Sequence, residues 1–307
     1  MRAVIIAGLK NGKLITKYLF EDVETDVLKV YVLKDEYETK VSDFVKFDDV
    51  VDENLLCKVD NINDYEEEIS NLKPDIIFVV GWSQLISRRI INSAKIGVIG
   101  FHPSKLPKDR GRSVLAWQIA EGYEKGCVSM FWINEGVDSG NIIGQEEYII
   151  NYSDTIKEVL EKVYYTCLDL LKKYYPLIKN KKVTSIKQDE SISTYRRKRN
   201  KYDGKIDWSE DSRSIYNLIR AITEPYPGAF AIYNGVEVLV LAAEEIIYTF
   251  NGFDYIKTGT IIGYMPYKGI IVKCKDNSIL VKKAKIDGTY LEGEKLIHFF
   301  KIGDKFE

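Results

Sequence analysis

A chain with only two histidines in 307 residues sets one of them, His102, between an apolar run and a loop rich in proline and cations. The stretch reads GVIGFHPSKLPKDRGRSVLAW, residues 97 to 117. His102 follows the run IGVIGF, and open parallel sheets bind ligands beyond the carboxyl ends of such strands. Pro103 removes a backbone donor and turns the chain away. Behind it SKLPKDRGR carries four cations among nine residues, with Gly111 permitting close backbone approach. An imidazole here suits proton transfer near neutral pH. A structural histidine beside a solvated basic loop is the other reading, and the residues alone leave both open.

A second candidate lies in NEGVDSGNI, residues 134 to 142, where Asp138 sits between two glycines. An aspartate in such a turn most often caps its own backbone. If the turn folds over the sheet, the carboxylate instead reaches His102 and favours its charged form.

Other chemistries find less support. AGLKNGK (7 to 13) spaces its glycines unlike a dinucleotide fingerprint, and a tight strand-to-helix turn accounts for it better. Cys57, Cys127, Cys167 and Cys274 are isolated, so no zinc set can be read and no metal is expected. Unpaired thiols suit the cytoplasm. A net charge of −2 argues against strong non-specific affinity for nucleic acid or anionic membranes. No apolar run approaches the ~20 residues that span a bilayer.

The elements that must carry these groups follow from hydrophobic patterning. AVIIAG (3 to 8), LKVYVL (28 to 33), DIIFVVG (75 to 81) and IGVIGF (96 to 101) are nearly continuous, as in parallel strands buried on both faces. Helix-like segments alternate with them, which predicts an α/β fold with a doubly wound, mostly parallel sheet. Residues 127 to 150 read as two strands around a turn. A long amphipathic helix opens after Ser153 as N-cap, burying Ile156, Val159, Leu160, Val163, Cys167, Leu170 and Leu171. A catalytic domain over 1–185, a linker and helix over 186–228 and a small β domain over 229–307 are expected.

GFHPSKLPKDRGRSVLAW followed by EGVDSGNI resembles the formyltransferases that use 10-formyltetrahydrofolate, a family that includes methionyl-tRNA and nucleotide-sugar N-formyltransferases. Its pattern of His, Ser-x-Leu-Pro-x-x-Arg-Gly and Asp-x-Gly is met at His102, Ser104 to Gly111 and Asp138 to Gly140. DGKIDW and IRAITEPYPGAF resemble the junction before the family's OB-like β barrel. The resemblance implies formyl transfer from the folate donor to an amine, with His102 moving the proton and Asp138 orienting it. It implies donor contacts at Gln84, Leu85 and Ile86, at Ser104, Lys105, Leu106 and Pro107, at Arg112, and at Asn134, Glu135, Gly136, Val137 and Asp138. One departure stands out: Gly100 replaces the family's asparagine, whose amide donates to the oxyanion. Losing such a donor typically costs about 2.7–4 kcal/mol. A backbone N–H, a water or the Ser104 hydroxyl is needed in its place, or turnover is impaired and the chain is a binding protein.

Among acceptors, a nucleotide-linked amino-dideoxy sugar fits better than methionyl-tRNA: FHPSKLPKDRGRSVLAW with FWINEGVDSG most resembles the nucleotide-sugar branch, and residues 191 to 307, with 18 Lys and Arg against 15 Asp and Glu, are poorly suited to gripping RNA. Arg196 and Arg197 are candidates for a diphosphate, or members of a solvated linker. Tyr216, Arg220 and Tyr226 are candidates for base or phosphate contact, with core packing weighted equally. The sugar branch commonly dimerises, so a homodimer is compatible, although no stretch specifies an interface.

Overall fold

The computed structural model describes all 307 residues. Eight strands and five helices precede residue 180: β1 (Arg2–Ala7), α1 (Leu9–Glu21), β2 (Asp26–Leu33), β3 (Leu56–Val59), α2 (Glu66–Leu72), β4 (Ile76–Val80), α3 (Arg88–Ser93), β5 (Gly97–His102), β6 (Arg110–Gly111), α4 (Val114–Ala120), β7 (Lys125–Trp132), β8 (Ile142–Ile149) and α5 (Ile156–Lys179). There follow β9 (Tyr195–Arg196), α6 (Ser212–Ile222), β10 (Ala229–Tyr233), β11 (Val236–Ile246), β12 (Ile261–Met265), β13 (Gly269–Lys273), β14 (Ser278–Ile286), β15 (Thr289–Glu292) and α7 (Glu294–Phe299).

The chain divides into two units. One comprises Met1–Val114, Lys125–Ile149 and Leu160–Arg197, the other Leu115–Glu124, Ile150–Val159 and Lys198–Glu307. The segment 186–228, expected as linker and helix, is thereby split: residues up to Arg197 belong with the first unit and the rest with the second.

In the first unit seven strands form a sheet of order β3-β2-β1-β4-β5-β7-β8. The pairs among β1 to β5 are parallel, and β5–β7 and β7–β8 are antiparallel. The unbroken apolar runs explain the parallel part: Val4, Ile6, Ile77, Val79 and Val98 pack into one cluster with Tyr31 and Ile90. The strand β3 escaped the sequence reading because Leu-Cys-Lys-Val is short and carries a charge.

In the second unit five strands run β10-β11-β14-β13-β12, with β15 beside β14. The C-terminal tail bonds to both edges: Glu307 exchanges backbone hydrogen bonds with Ile232 of β10, and Gly303 and Asp304 bond Ile261 of β12. The edges are thus covered from within the chain, which removes an exposed pairing template.

The long helix α5 begins later than Ser153 suggested. Thr155 Oγ1 accepts from the Lys157 amide, and Glu158 reaches back to the Thr155 amide at 2.9 Å. This reciprocal arrangement satisfies free amides of the first turn and outcompetes a lone serine two residues earlier.

Candidate active site

His102 closes β5, whose register sets Ser129 opposite it and Phe131 opposite Gly100. The imidazole is 6% exposed. Its Nε2 lies 2.7 Å from the Asp109 carbonyl oxygen. A carbonyl only accepts, so Nε2 carries the proton, and in the neutral ring the lone pair is on Nδ1. That nitrogen faces Asp138, whose Oδ2 is 3.4 Å away.

The loop after β5 is tied down by its own polar groups. Ser104 Oγ donates to the Lys108 carbonyl, and Ser129 Oγ donates to that of Ser104. Leu106 is buried; its amide donates to Ser129 Oγ and its carbonyl accepts from Gln145 Nε2. The Ser104 hydroxyl is therefore committed to closing the loop, which removes it as a substitute for the missing asparagine. Lys105 pairs at the surface with Glu147, and the Pro107 carbonyl accepts from the Thr194 amide. Arg112 is exposed. Gly111 has φ of +100°, and a Cβ there would sit 2.4 Å from the Arg196 carbonyl oxygen, so close pairing of β6 with β9 requires glycine.

Arg110 is fully buried (0% exposed) and holds the site's outer frame. Its Nη1 and Nη2 grip both Glu190 oxygens at 2.8 Å, and Nη1 also donates to the Tyr195 hydroxyl. The bidentate bond to Glu190 pushes the guanidinium pKa further up and holds the Glu190 carboxyl below its ordinary range. Nε and Nη2 share Gln188 Oε1. Nothing in the sequence singled out Gln188 or Glu190, which lie in a polar stretch that reads as a loop. A lone glutamine carries no periodicity, so only its 4% exposure in the fold gives it away.

Asp138 adopts φ of +50°, and its Oδ2 accepts from the Gly111 amide at 2.8 Å. Asn134 Oδ1 accepts from the Gly136 amide and the Ser139 hydroxyl, which shapes the turn without spending other groups. Glu135 bonds Arg88 Nε at 2.8 Å, joining this turn to the start of α3. The segment just before α3 holds Gln84, Leu85 and Ile86. The Gln84 side chain is committed to the Ile62 amide and the Asp60 carbonyl, and the Leu85 carbonyl accepts from Asn63. Ile86 packs on the sheet's core cluster. Leu85 and Val137 remain 70% and 40% exposed, leaving an apolar side chain on each of the two segments that the Arg88–Glu135 pair joins.

At Gly100 the volume of a side chain is already filled. A Cβ there would meet Ile133 Cγ1 at 2.9 Å and Phe131 Cζ at 3.0 Å. Gly100 lies on the same face of β5 as His102, two residues apart. Its bareness leaves room for the side chain of Ile133, whose amide donates to the Val98 carbonyl of β5 at 2.7 Å just before the turn that carries Asp138.

The remaining sequence candidates fall elsewhere. In the second unit Tyr216 and Arg220 are both buried. Tyr216 stacks on Tyr152 at 4.9 Å and donates to its carbonyl, while Arg220 donates to Asp154 O and Asn217 Oδ1. Burial lowers the Arg220 pKa. Of the two roles open to these residues, core packing is the one their burial matches. Tyr226 sits half-buried in a turn, its amide bonded to the Thr223 carbonyl. In the first unit Arg196 Nε bonds Asp109 Oδ1 at 2.7 Å and Arg197 is exposed.

Comparison with known proteins gives the family. A model described as "Formyl transferase" matches residues 1–171, and one described as "Formyl transferase, C-terminal domain" matches residues 198–298. Methionyl-tRNA formyltransferase of Fusobacterium nucleatum is 34% identical over 242 residues, covering 78% of this chain and 77% of that protein. An N-formyltransferase from Helicobacter canadensis, solved with folinic acid and dTDP-3-aminofucose, superposes with a TM-score of 0.70 at 19% identity, covering 91% of this chain and 98% of that one. HypX from Aquifex aeolicus also superposes, with a TM-score of 0.70 at 16% identity; 97% of this chain is covered, spanning about half (48%) of HypX. Family matches to both parts of the chain, over a fold with the same layers, make this protein a formyltransferase, a member of the formyl transferase family.

Proposed function

We propose that the protein transfers a formyl group from 10-formyltetrahydrofolate to the amine of a nucleotide-linked amino-dideoxy sugar. When bound, the folate would supply the formyl group: the bond from its carbon to the amine nitrogen forms as the bond to N10 breaks, and the proton the amine sheds is returned to N10 by way of the base. His102 takes that proton at Nδ1. Its Nε2–H is tied to the Asp109 carbonyl, so the ring cannot present the wrong nitrogen. The imidazolium so formed faces the Asp138 carboxylate 3.4 Å away, which stabilises the charge. A positioned base of this kind contributes about 10²–10⁴-fold. This pairing of one tethered nitrogen with one carboxylate-facing nitrogen is the observation that carries the reading.

The apolar side chains of Leu85 and Val137 suit the faces of a flat pterin, and the turn from Asn134 to Asp138 forms one wall of the donor site. Arg112, exposed beyond β6, is available to an anionic group of either ligand.

The acceptor class rests on charge. Residues 191 to 307 hold 18 Lys and Arg against 15 Asp and Glu, and four of the second unit's cations pair with acids: Lys201 with Glu237, Arg213 with Glu245, Lys282 with Glu244 and Lys283 with Glu224. Such a surface offers little net field for gripping phosphates of an RNA. Methionyl-tRNA is the second reading, favoured by the 34% identity to the Fusobacterium enzyme.

The test is incubation with the formyl donor and a panel of amino-sugar nucleotides beside methionyl-tRNA, read by mass spectrometry. One formyl mass on a sugar nucleotide, with a mild salt response, is expected. Formylation of methionyl-tRNA alone, falling steeply with salt, would move the assignment to the second reading. Donor binding without transfer to any amine would mark the chain as a binding protein.

A further inference from the structure

We infer that Gln188 is a positioning residue for the transfer, holding Asp138 in register with His102; this rests on the role proposed above for those two residues. One amide serves both sides of the site. Gln188 Oε1 accepts from Arg110 Nε at 3.1 Å and Nη2 at 2.7 Å. Its Nε2 donates to the backbone carbonyls of Asp138 at 2.8 Å and Gly140 at 2.6 Å. The two ends of the Asp138 turn are therefore pinned by a single buried group.

These bonds close a ring. Arg110 holds Gln188, Gln188 holds the Asp138 backbone, and the Asp138 carboxylate accepts from the amide of Gly111, next to Arg110 in sequence. The residue on the other side of Arg110, Asp109, supplies the carbonyl that fixes His102 Nε2. Imidazole and carboxylate are thus aligned through three consecutive residues and one glutamine. Asp138 at φ +50° is in the left-handed region, so its conformation depends on the bonds around it. Gln188 touches neither His102 nor the reacting groups; it acts through Asp138.

The discriminating variant is Gln188→Glu. It keeps an oxygen for Arg110 and nearly the same volume, but faces the two carbonyls with an acceptor instead of a donor. Expected are a folded protein, kcat lower by about 10–100-fold, and an acceptor KM changed far less. In a spectrum of imidazole ¹⁵N resonances the His102 signals move while those of His298 stay. In an Asp138→Asn background the same change costs little further, because the two residues act on one interaction. Should Gln188→Glu not fold, Gln188→Met is read in the same way. An unchanged kcat and His102 spectrum, or a full cost persisting beside Asp138→Asn, would overturn the inference. Normal turnover by His102→Ala would instead sink the proton-transfer reading itself.

Discussion

His102 Nε2 and the Asp109 carbonyl oxygen lie 2.7 Å apart, so a main-chain group, seven residues on, decides which ring nitrogen is basic. Orientation of the ring comes from this carbonyl, and Asp138 stands at the other ring nitrogen, Nδ1. The neutral ring should be the Nε2–H tautomer. With only His102 and the exposed His298 in the chain, ¹⁵N chemical shifts identify it directly. A neutral Nδ1–H form would contradict the assignment.

Asp138→Asn keeps an oxygen for the Gly111 amide and removes only the charge. The turn should persist, with melting temperature close to the parent's. Turnover should fall by about 10–100-fold, the loss expected when an ion facing a developing cation is neutralised. Steady-state kinetics beside thermal melting check this, and an unaltered kcat would leave Asp138 with turn-shaping alone.

Gly100→Asn restores the family's side chain and should nevertheless harm the enzyme. The new Cβ displaces Ile133 and Phe131, at a cost of about 1–3 kcal/mol in stability. Because Ile133 precedes the Asp138 turn, kcat should drop as well. A rate increase would mean that the oxyanion lacks a donor here and that the packing argument fails.

Glu190 gives a pH-dependent prediction about the frame rather than the base. Its carboxyl is held below the ordinary 4.5 by the Arg110 guanidinium. A carboxylate depressed on folding adds stability above its unfolded pKa, and this is lost as pH falls through the folded value. Glu190→Gln should therefore melt below the parent at pH 7, with the difference shrinking as pH falls below the ordinary glutamate range and through the lowered folded value. Parallel melting curves from neutral to acid pH would contradict the pairing.

Apolar runs made the parallel strands readable, and the order His102, Ser104 to Gly111 and Asp138 made the proposed pair, His102 and Asp138, readable. The frame around them was not. Gln188, Glu190 and Tyr195 sit in a polar stretch whose meaning depends on Arg110, some eighty residues earlier, and pairwise burial of that kind leaves no periodic trace. Gly100 reads as a missing donor, and only the fold shows that Ile133 and Phe131 occupy the place of its side chain. Tyr216 and Arg220 had suitable chemistry for a ligand, and only the fold shows them spent on the 151–154 turn and on Asn217.

The most direct test of the base is single-turnover formyl transfer, with donor and an accepted amine, comparing the parent with His102→Ala. Removal of the group proposed to take the amine's proton should slow the chemical step by about 10²–10⁴-fold while donor binding and melting temperature hold. A folded His102→Ala protein transferring formyl at the parent's rate would show that the proton leaves by another route.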